Sequence, residues 1–149
     1  MWSLFVALCA VAASGVSYQA TPVSPTEQTL NPAPQTRKFD EYGNIRFNDE
    51  KARLDNLAIT LHNDPTSKAY IIGYGGSICQ VGEALARANR AKDYLNISRG
   101  IDADRIITRN GGYRHDVGAE LYVVPLGAGD PPSHPTIARC KKPPRRRTR

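Results

Sequence analysis

The sequence predicts an α/β (α+β) two-layer sandwich, a mixed sheet of about four strands with two helices on one face. Three observations predict it. The run Ala69-Tyr70-Ile71-Ile72 is rich in β-branched and aromatic residues and closes at Gly73, Gly75 and Gly76, the pattern of a strand. Two segments, one with Leu54, Leu57, Ala58 and Leu61, the other with Val81, Ala84, Leu85, Ala88, Ala91 and Leu95, space apolar residues as a helix with one buried stripe does. The patterns follow one another as strand, helix, strand, helix, strand, strand, an order that lays helices on one side of a sheet.

Taken in order, Met1 to Ser14 is almost wholly apolar, about the length of a signal-peptide core and too short to span a bilayer. Small residues at Ala10, Ala12, Ala13 and Ser14 suit cleavage, although no Lys or Arg precedes Arg37. Export is the expectation. Residues 15–38 carry Pro22, Pro25, Pro32 and Pro34 among Ser, Thr, Gln and Asn, a flexible or extended linker. The folded domain is expected over 39–125. Phe39 to Phe47 reads as a first strand pair or strand-turn, with Phe39, Ile45 and Phe47 facing inward. Asn48 is placed to cap the first helix, with Asp49 and Glu50 at its positive end. Asn63-Asp64-Pro65 stops that helix.

The second strand covers Ala69 to Tyr74, and the second helix follows the Gly75-Gly76-Ser77-Ile78 loop. Gly100 before Ile101 suits a left-handed C-cap with a hydrophobic latch. Asp102 or Asp104 starts a tight turn into a strand over Arg105 to Arg109. A turn at Asn110-Gly111-Gly112 and a polar loop, Tyr113-Arg114-His115-Asp116, lead to the last strand, Ala119 to Val124, which Pro125 ends. Residues 126–149 hold Pro131, Pro132, Pro135, Pro143 and Pro144 with a block of bases, a disordered basic tail.

Gly73-Tyr74, Arg87-Ala88 seven residues before Tyr94-Leu95, and Arg99-Gly100-Ile101-Asp102-Ala103-Asp104-Arg105-Ile106 together resemble the C-terminal domain of outer-membrane protein A, the OmpA-like peptidoglycan-associated family. The last segment is similar to the family's Gly-Ile-x-x-x-Arg/Lys-Ile signature, and the likeness covers roughly Phe39 to Pro125. It implies a non-enzymatic protein of the bacterial periplasm or cell envelope. It also implies that Arg87, with an Asp after the Gly-Tyr strand, holds the diaminopimelate of peptidoglycan. A guanidinium fork suits the carboxylate and an Asp suits the ammonium group. Gly76 stands where that Asp would be, and Gly118-Ala119 where a late Arg pair would be. Half of the clamp is thus absent. The candidate ligand-binding residues are Arg87, Arg90, Tyr74, Gly76, Tyr113 and Arg114. Arg87 and Arg90 as plain solvated helix surface is the alternative.

The chain has a formal charge of +6. From Leu126 onward there are seven bases and one acid, Asp130, so the remainder is neutral and shows no bias towards nucleic acid. The tail from Arg139 to Arg149 is a candidate for polyanion contact, with a merely solubilising role as the alternative. Cys79 and Cys140 form a candidate disulfide between the start of the second helix and the tail. Two unpaired thiols is the other reading. Gly73, Gly75 and Gly76 match neither phosphate-binding loop spacing, and His115-Asp116 has no nucleophile beside it. His62, His115 and His134 lack ligand spacing, so no metal or cofactor is expected. The Asn96-Ile97-Ser98 sequon reads as chance. The expected function is therefore peptidoglycan binding by an OmpA-like envelope module. The alternatives are a protein-interaction or structural module that has lost the wall site, and polyanion binding through the tail.

Overall fold

The computed structural model describes residues 33–142. The predicted signal segment 1–14, the linker up to residue 32 and the last seven residues lie outside them. The chain forms β1 (Arg37–Tyr42), α1 (Phe47–Asn63), β2 (Lys68–Gly75), α2 (Glu83–Asp93), β3 (Ile106–Tyr113) and β4 (Gly118–Val124). A π-helical turn, Tyr94–Ser98, and a short 3-10 turn, Ala103–Arg105, join α2 to β3. The sheet order is β1-β4-β2-β3, with β2 and β3 parallel and β4 antiparallel to both β1 and β2. This is the mixed four-stranded, two-helix α+β arrangement expected. No helix of the described residues is long and apolar enough to cross a membrane.

Alternation along the strands assigns each face. Ala69 and Ile71 of β2, with Ala119, Leu121 and Val123 of β4, pack with Leu54, Leu57, Ala58 and Leu61 of α1 and with Ala88, Ala91 and Leu95. Both helices therefore cover one face. Tyr70, Ile72 and Tyr74, with Tyr122 and Val124, form a second buried cluster on the other face.

Helix α2 lies unusually close to β2. A Cβ at Gly73 would sit 2.9 Å from the Ala84 carbonyl carbon and closer still to its oxygen. That approach leaves room only for alanines beneath the helix, so Ala84, Ala88 and Ala91 are buried. The expected stripe is corrected here: Val81 and Leu85 are exposed. Val81 precedes the helix, and a stripe of alanines pressed against a strand needs no flanking leucine to fill it.

Other boundaries move for local reasons. Helix α1 begins at Phe47, so Asn48 lies inside its first turn; the cap position is Arg46, with no side-chain cap. The first strand ends at Tyr42, so Ile45 and Phe47 belong to the turn and the helix. Its start at Arg37 takes two residues from the expected linker. Strand β3 runs through Asn110-Gly111-Gly112 instead of turning there. Gly111 lies beneath Tyr74 and Ile72, where a Cβ would fall 2.6 Å from the Tyr74 Cζ. Gly100 has φ 67° and caps the segment after α2, with Ile101 N donating to Leu95 O at 3.1 Å. Arg105 donates to the carbonyls of Leu61, Asp64 and Ser67 at 2.8 to 3.1 Å, closing the end of α1.

The expected disordered tail is corrected over its described part. Residues 126–142 form a strap against the outer face of the sheet. Asp130 binds Arg109 at 2.6 Å and the Tyr70 hydroxyl at 2.5 Å. Thr136 and Ile137 donate to Tyr113 O at 3.0 and 3.2 Å. Cys79 and Cys140 are disulfide-bonded, with Cα atoms 5.0 Å apart. The prolines do bar regular secondary structure, but an irregular segment can still pack when each end is tied.

Two outcomes follow. Gly73→Ala forces α2 off the sheet and costs about 3 kcal/mol, measured as a lowered urea midpoint. The disulfide spans a separation of 61 residues, so Cys140→Ser costs up to about 4 kcal/mol by chain-entropy reasoning. Cys79→Ser and the double variant should match it; a double variant much worse than either single would mean the thiols contribute by packing.

Candidate functional site

Three loops and the start of α2 meet at one end of the sheet. The β1–α1 turn brings Asn44, the β2–α2 loop brings Gly76, Ser77, Ile78 and Gln80, and the β3–β4 loop brings His115, Asp116 and Val117. With Glu83 they line a recess of about 260 Å³. A second recess of about 370 Å³ runs along α2 between Gln80, Val81, Glu83, Ala86, Arg87 and Arg90. Gln80 and Glu83 belong to both.

Glu83 is in the first turn of α2, where the positive end of the helix favours a carboxylate. The Gly76 backbone N donates to its Oε2 at 3.2 Å. Arg87 is one turn further on. Its Nη2 reaches the Asn44 Oδ1 at 3.4 Å, a long contact. Its Nη1 is buried and has no hydrogen-bond partner among the described residues. A buried guanidinium N–H without a partner is costly, and an anionic oxygen is the group that would relieve the cost most. A carboxylate and a guanidinium thus stand four residues apart on one helix beside shared recesses.

The other predicted ligand residues are scattered. Arg90 is committed to structure: it pairs with the fully buried Glu50, and its guanidinium lies 4.9 Å from the Phe47 ring centre. Glu50 also accepts from the Tyr42 hydroxyl at 2.9 Å. Tyr74 and Arg114 are on the opposite face of the sheet, stacked with 3.6 Å between the guanidinium and the ring centre. Tyr113 packs on Gly75 and gives its carbonyl to the strap. Gly76, Arg87 and Arg90 line the two recesses, and of the two arginines Arg90 is already engaged by Glu50. At Gly118, where the late Arg pair would begin, a Cβ would lie 2.7 Å from the Tyr42 carbonyl oxygen, so no side chain fits.

Tyr74 and Arg114 belong to a second polar centre, built on Glu120. This carboxylate is 1% exposed. It receives Lys38 Nζ and Arg114 Nη2 at 2.9 Å, the Tyr74 hydroxyl at 2.5 Å and the Tyr122 hydroxyl at 3.3 Å, with His134 Nδ1 at 3.3 Å. Burial pushes its carboxyl up, but hydrogen bonds from Lys38, Tyr74, Arg114 and His134 outweigh burial and hold it at about 2. Burial, and then the bond to Glu120, pushes the Tyr74 hydroxyl up to about 12. Every group in the cluster is engaged by another, which is the mark of a structural network.

Sequence reasoning missed Asn44, Glu83, Glu50 and Glu120. A signal existed for the last: one acid inside the apolar run Ala119 to Val124. Glu83 was hidden because the β2–α2 loop folds back to bring a first-turn carboxylate to Gly76. Among the described residues no three His, Cys, Asp or Glu side chains gather as metal ligands would. No protein-family model matches the chain, and no curated protein matches it.

The Glu120 cluster fixes a pH dependence. Its folded pKa is below the ordinary 4.5, so its stabilisation is present above about pH 4.5 and is lost as pH falls towards 2. The loss is at most about 3 kcal/mol, lessened by solvent around Lys38 and His134. Urea unfolding at several pH values should show a shallower acid decline for Glu120→Gln. A residual decline is expected from Glu41, Asp55 and Asp130, held low by Lys38, Arg99 and Tyr70.

Proposed function

We propose that the chain is a non-enzymatic OmpA-like module of the bacterial envelope that binds the stem peptide of peptidoglycan at the α2 cleft. In this reading Arg87 takes a carboxylate of diaminopimelate and Glu83 takes the neighbouring ammonium group. Glu83 replaces the Asp that Gly76 displaces. The observation that carries the reading is the buried Nη1 of Arg87, unpartnered among the described residues, beside Asn44 and one helical turn from a carboxylate. A zwitterionic amino-acid head needs one group of each sign at such a spacing. Binding is expected to be weak, because two charged contacts in an open recess are screened by water.

A second reading rests on a different observation. Ile78, Val81 and Leu85 are exposed at the start of α2, and large apolar side chains grouped on a surface favour a protein contact. In that reading the module has lost the wall site and serves as an interaction surface.

The two readings separate by titration of the full chain with diaminopimelate, followed by NMR. Arg87→Ala and Glu83→Gln should each weaken binding about tenfold or more, corresponding to about 1.4 kcal/mol or more. Shifts confined to Ile78, Val81 and Leu85, or none at all, would count against wall binding. Crosslinking in intact cells that captures a protein through Val81 but no glycan would favour the second reading.

A further inference from the structure

The β2–α2 loop forms one wall of the cleft, yet its outer half has no side chain in the core. Gly76, Ser77, Ile78 and Gln80 line the smaller recess, and Gln80 and Val81 continue into the larger one. Ile78 is 53% exposed and Val81 fully exposed, so neither anchors the loop. At the inner end Ser77 N donates to His115 O at 3.2 Å. At the far end Gly82 has φ 77°, and a Cβ there would meet nothing within 4 Å, which makes it an open joint in front of α2. Between these points the loop is tied to the end of the strap. Cys79 N donates to Lys141 O at 2.8 Å, Lys141 N donates to Ser77 O at 2.7 Å, and Cys79 is bonded to Cys140. The strap has other ties upstream of that bridge. Asp130 holds Arg109 and Tyr70, His134 N donates to the Tyr74 hydroxyl at 2.8 Å, and Thr136 and Ile137 donate to Tyr113 O. Cys79 and Cys140 are both partly exposed, within reach of a small thiol.

We propose that the Cys79–Cys140 bridge is a redox-controlled clasp that holds the β2–α2 loop as a wall of the cleft, and that a dithiol opens it. In the opening step a thiolate of the dithiol attacks one sulfur of the bridge. A mixed disulfide forms, and the other cysteine leaves as a thiolate. The second thiol of the reagent displaces the remaining cysteine and closes the reagent's own disulfide. Two electrons pass to the bridge, and the two protons given up by the dithiol convert Cys79 and Cys140 to thiols. Lys141 is then held by two backbone hydrogen bonds, which contribute little net stability in water. The freed chain end regains conformational entropy that opposes them. Lys141 therefore leaves the loop, and the loop moves about Gly82. Helix α2 stays seated, because its contact with β2 at Gly73 and Ala84 does not involve the loop. Arg87 and Glu83 thus keep their place while the wall beside them opens. The opening of the loop is independent of any ligand; a loss of diaminopimelate affinity on reduction rests on the wall-binding reading above.

The test records NMR relaxation of the backbone amides of the full chain, oxidised and after treatment with dithiothreitol, with the oxidised reagent as control. In the oxidised chain, order parameters of about 0.85 are expected from Ser77 to Gln80 and at Lys141. On reduction they should fall below about 0.6 there, while Ile71, Leu121, Thr136 and Ile137 stay near the rigid value. Unchanged values over the loop overturn the clasp, because the bridge is then idle. Loss of the whole folded spectrum also overturns it, because the bridge is then a staple for the entire fold. Cys79→Ser with Cys140→Ser should match the reduced chain and ignore dithiothreitol; a response to the reagent in that variant places its action elsewhere and overturns the proposal. Diaminopimelate is then titrated into both forms of the native chain. Binding by the oxidised chain should weaken several-fold on reduction. Equal binding by the two forms overturns control of the cleft by the bridge. Absence of binding by the oxidised chain counts against the wall-binding reading alone, and the relaxation data then decide the clasp.

Discussion

The seating of α2 on β2 sets the geometry of everything at the cleft end. With no side chain at Gly73, the helix backbone rests on the strand at Ala84. The first turn of α2 is thereby lowered towards the end of β2, close enough for Glu83 to take the Gly76 N–H. The next turn carries Arg87 to Asn44. A larger residue at position 73 would lift both charged groups away from the loops that complete the recess. Close packing is stiff, so such a displacement would not relax within the interior.

The central strands are buried on both faces, and this explains the strap. Positions 69 to 74 of β2 are all buried, and so are positions 118 to 124 of β4. A two-layer body covers only one side of these strands. Tyr70, Ile72, Tyr74, Tyr122 and Val124 would otherwise meet water. The strap shields them with little apolar material of its own: Pro131 is buried and Ala128 packs at the margin. Its hold comes from polar ties to tyrosine hydroxyls and arginines, and from the covalent link to Cys79. Glu120 serves the same purpose on this face, drawing β1, β4, the β3–β4 loop and the strap together through Lys38, Arg114 and His134.

The sequence made the order and type of the elements plain because their periodicities are local. Leu54, Leu57, Ala58 and Leu61 are spaced for one helix face, and Ile71 and Ile72 for a strand, wherever they are placed. Features that depend on distant contacts were not legible. Val81 and Leu85 fit the helical spacing but were displaced by the close approach at Gly73. Gly111 resembled a turn residue, yet it is a strand residue made small by Tyr74. The proline-rich strap has no period to read, and the need for a second cover shows only in the folded sheet, where seven consecutive positions of β2, Ala69 to Gly75, are buried. At the cleft, Arg87 was legible from its place on the helix. Asn44 and Glu83 were not, since each reaches the recess only after the chain has folded. Tyr74 and Arg114 were assigned to the wrong face because alternation in β2 turns Tyr74 away from α2.

The register between β1 and β4 bears on how the molecule assembles. Arg37 pairs with Val123 and Tyr42 with Ala119, so an edge strand made early waits for a partner made about 80 residues later. Between them, β2, α2 and β3 form a compact unit with comparatively local connections. Long-separated pairings close slowly because a large loop must be ordered first. During synthesis the parallel unit can therefore organise while β1 is still unpaired, and the arrival of β4 completes the sheet by inserting between β1 and β2.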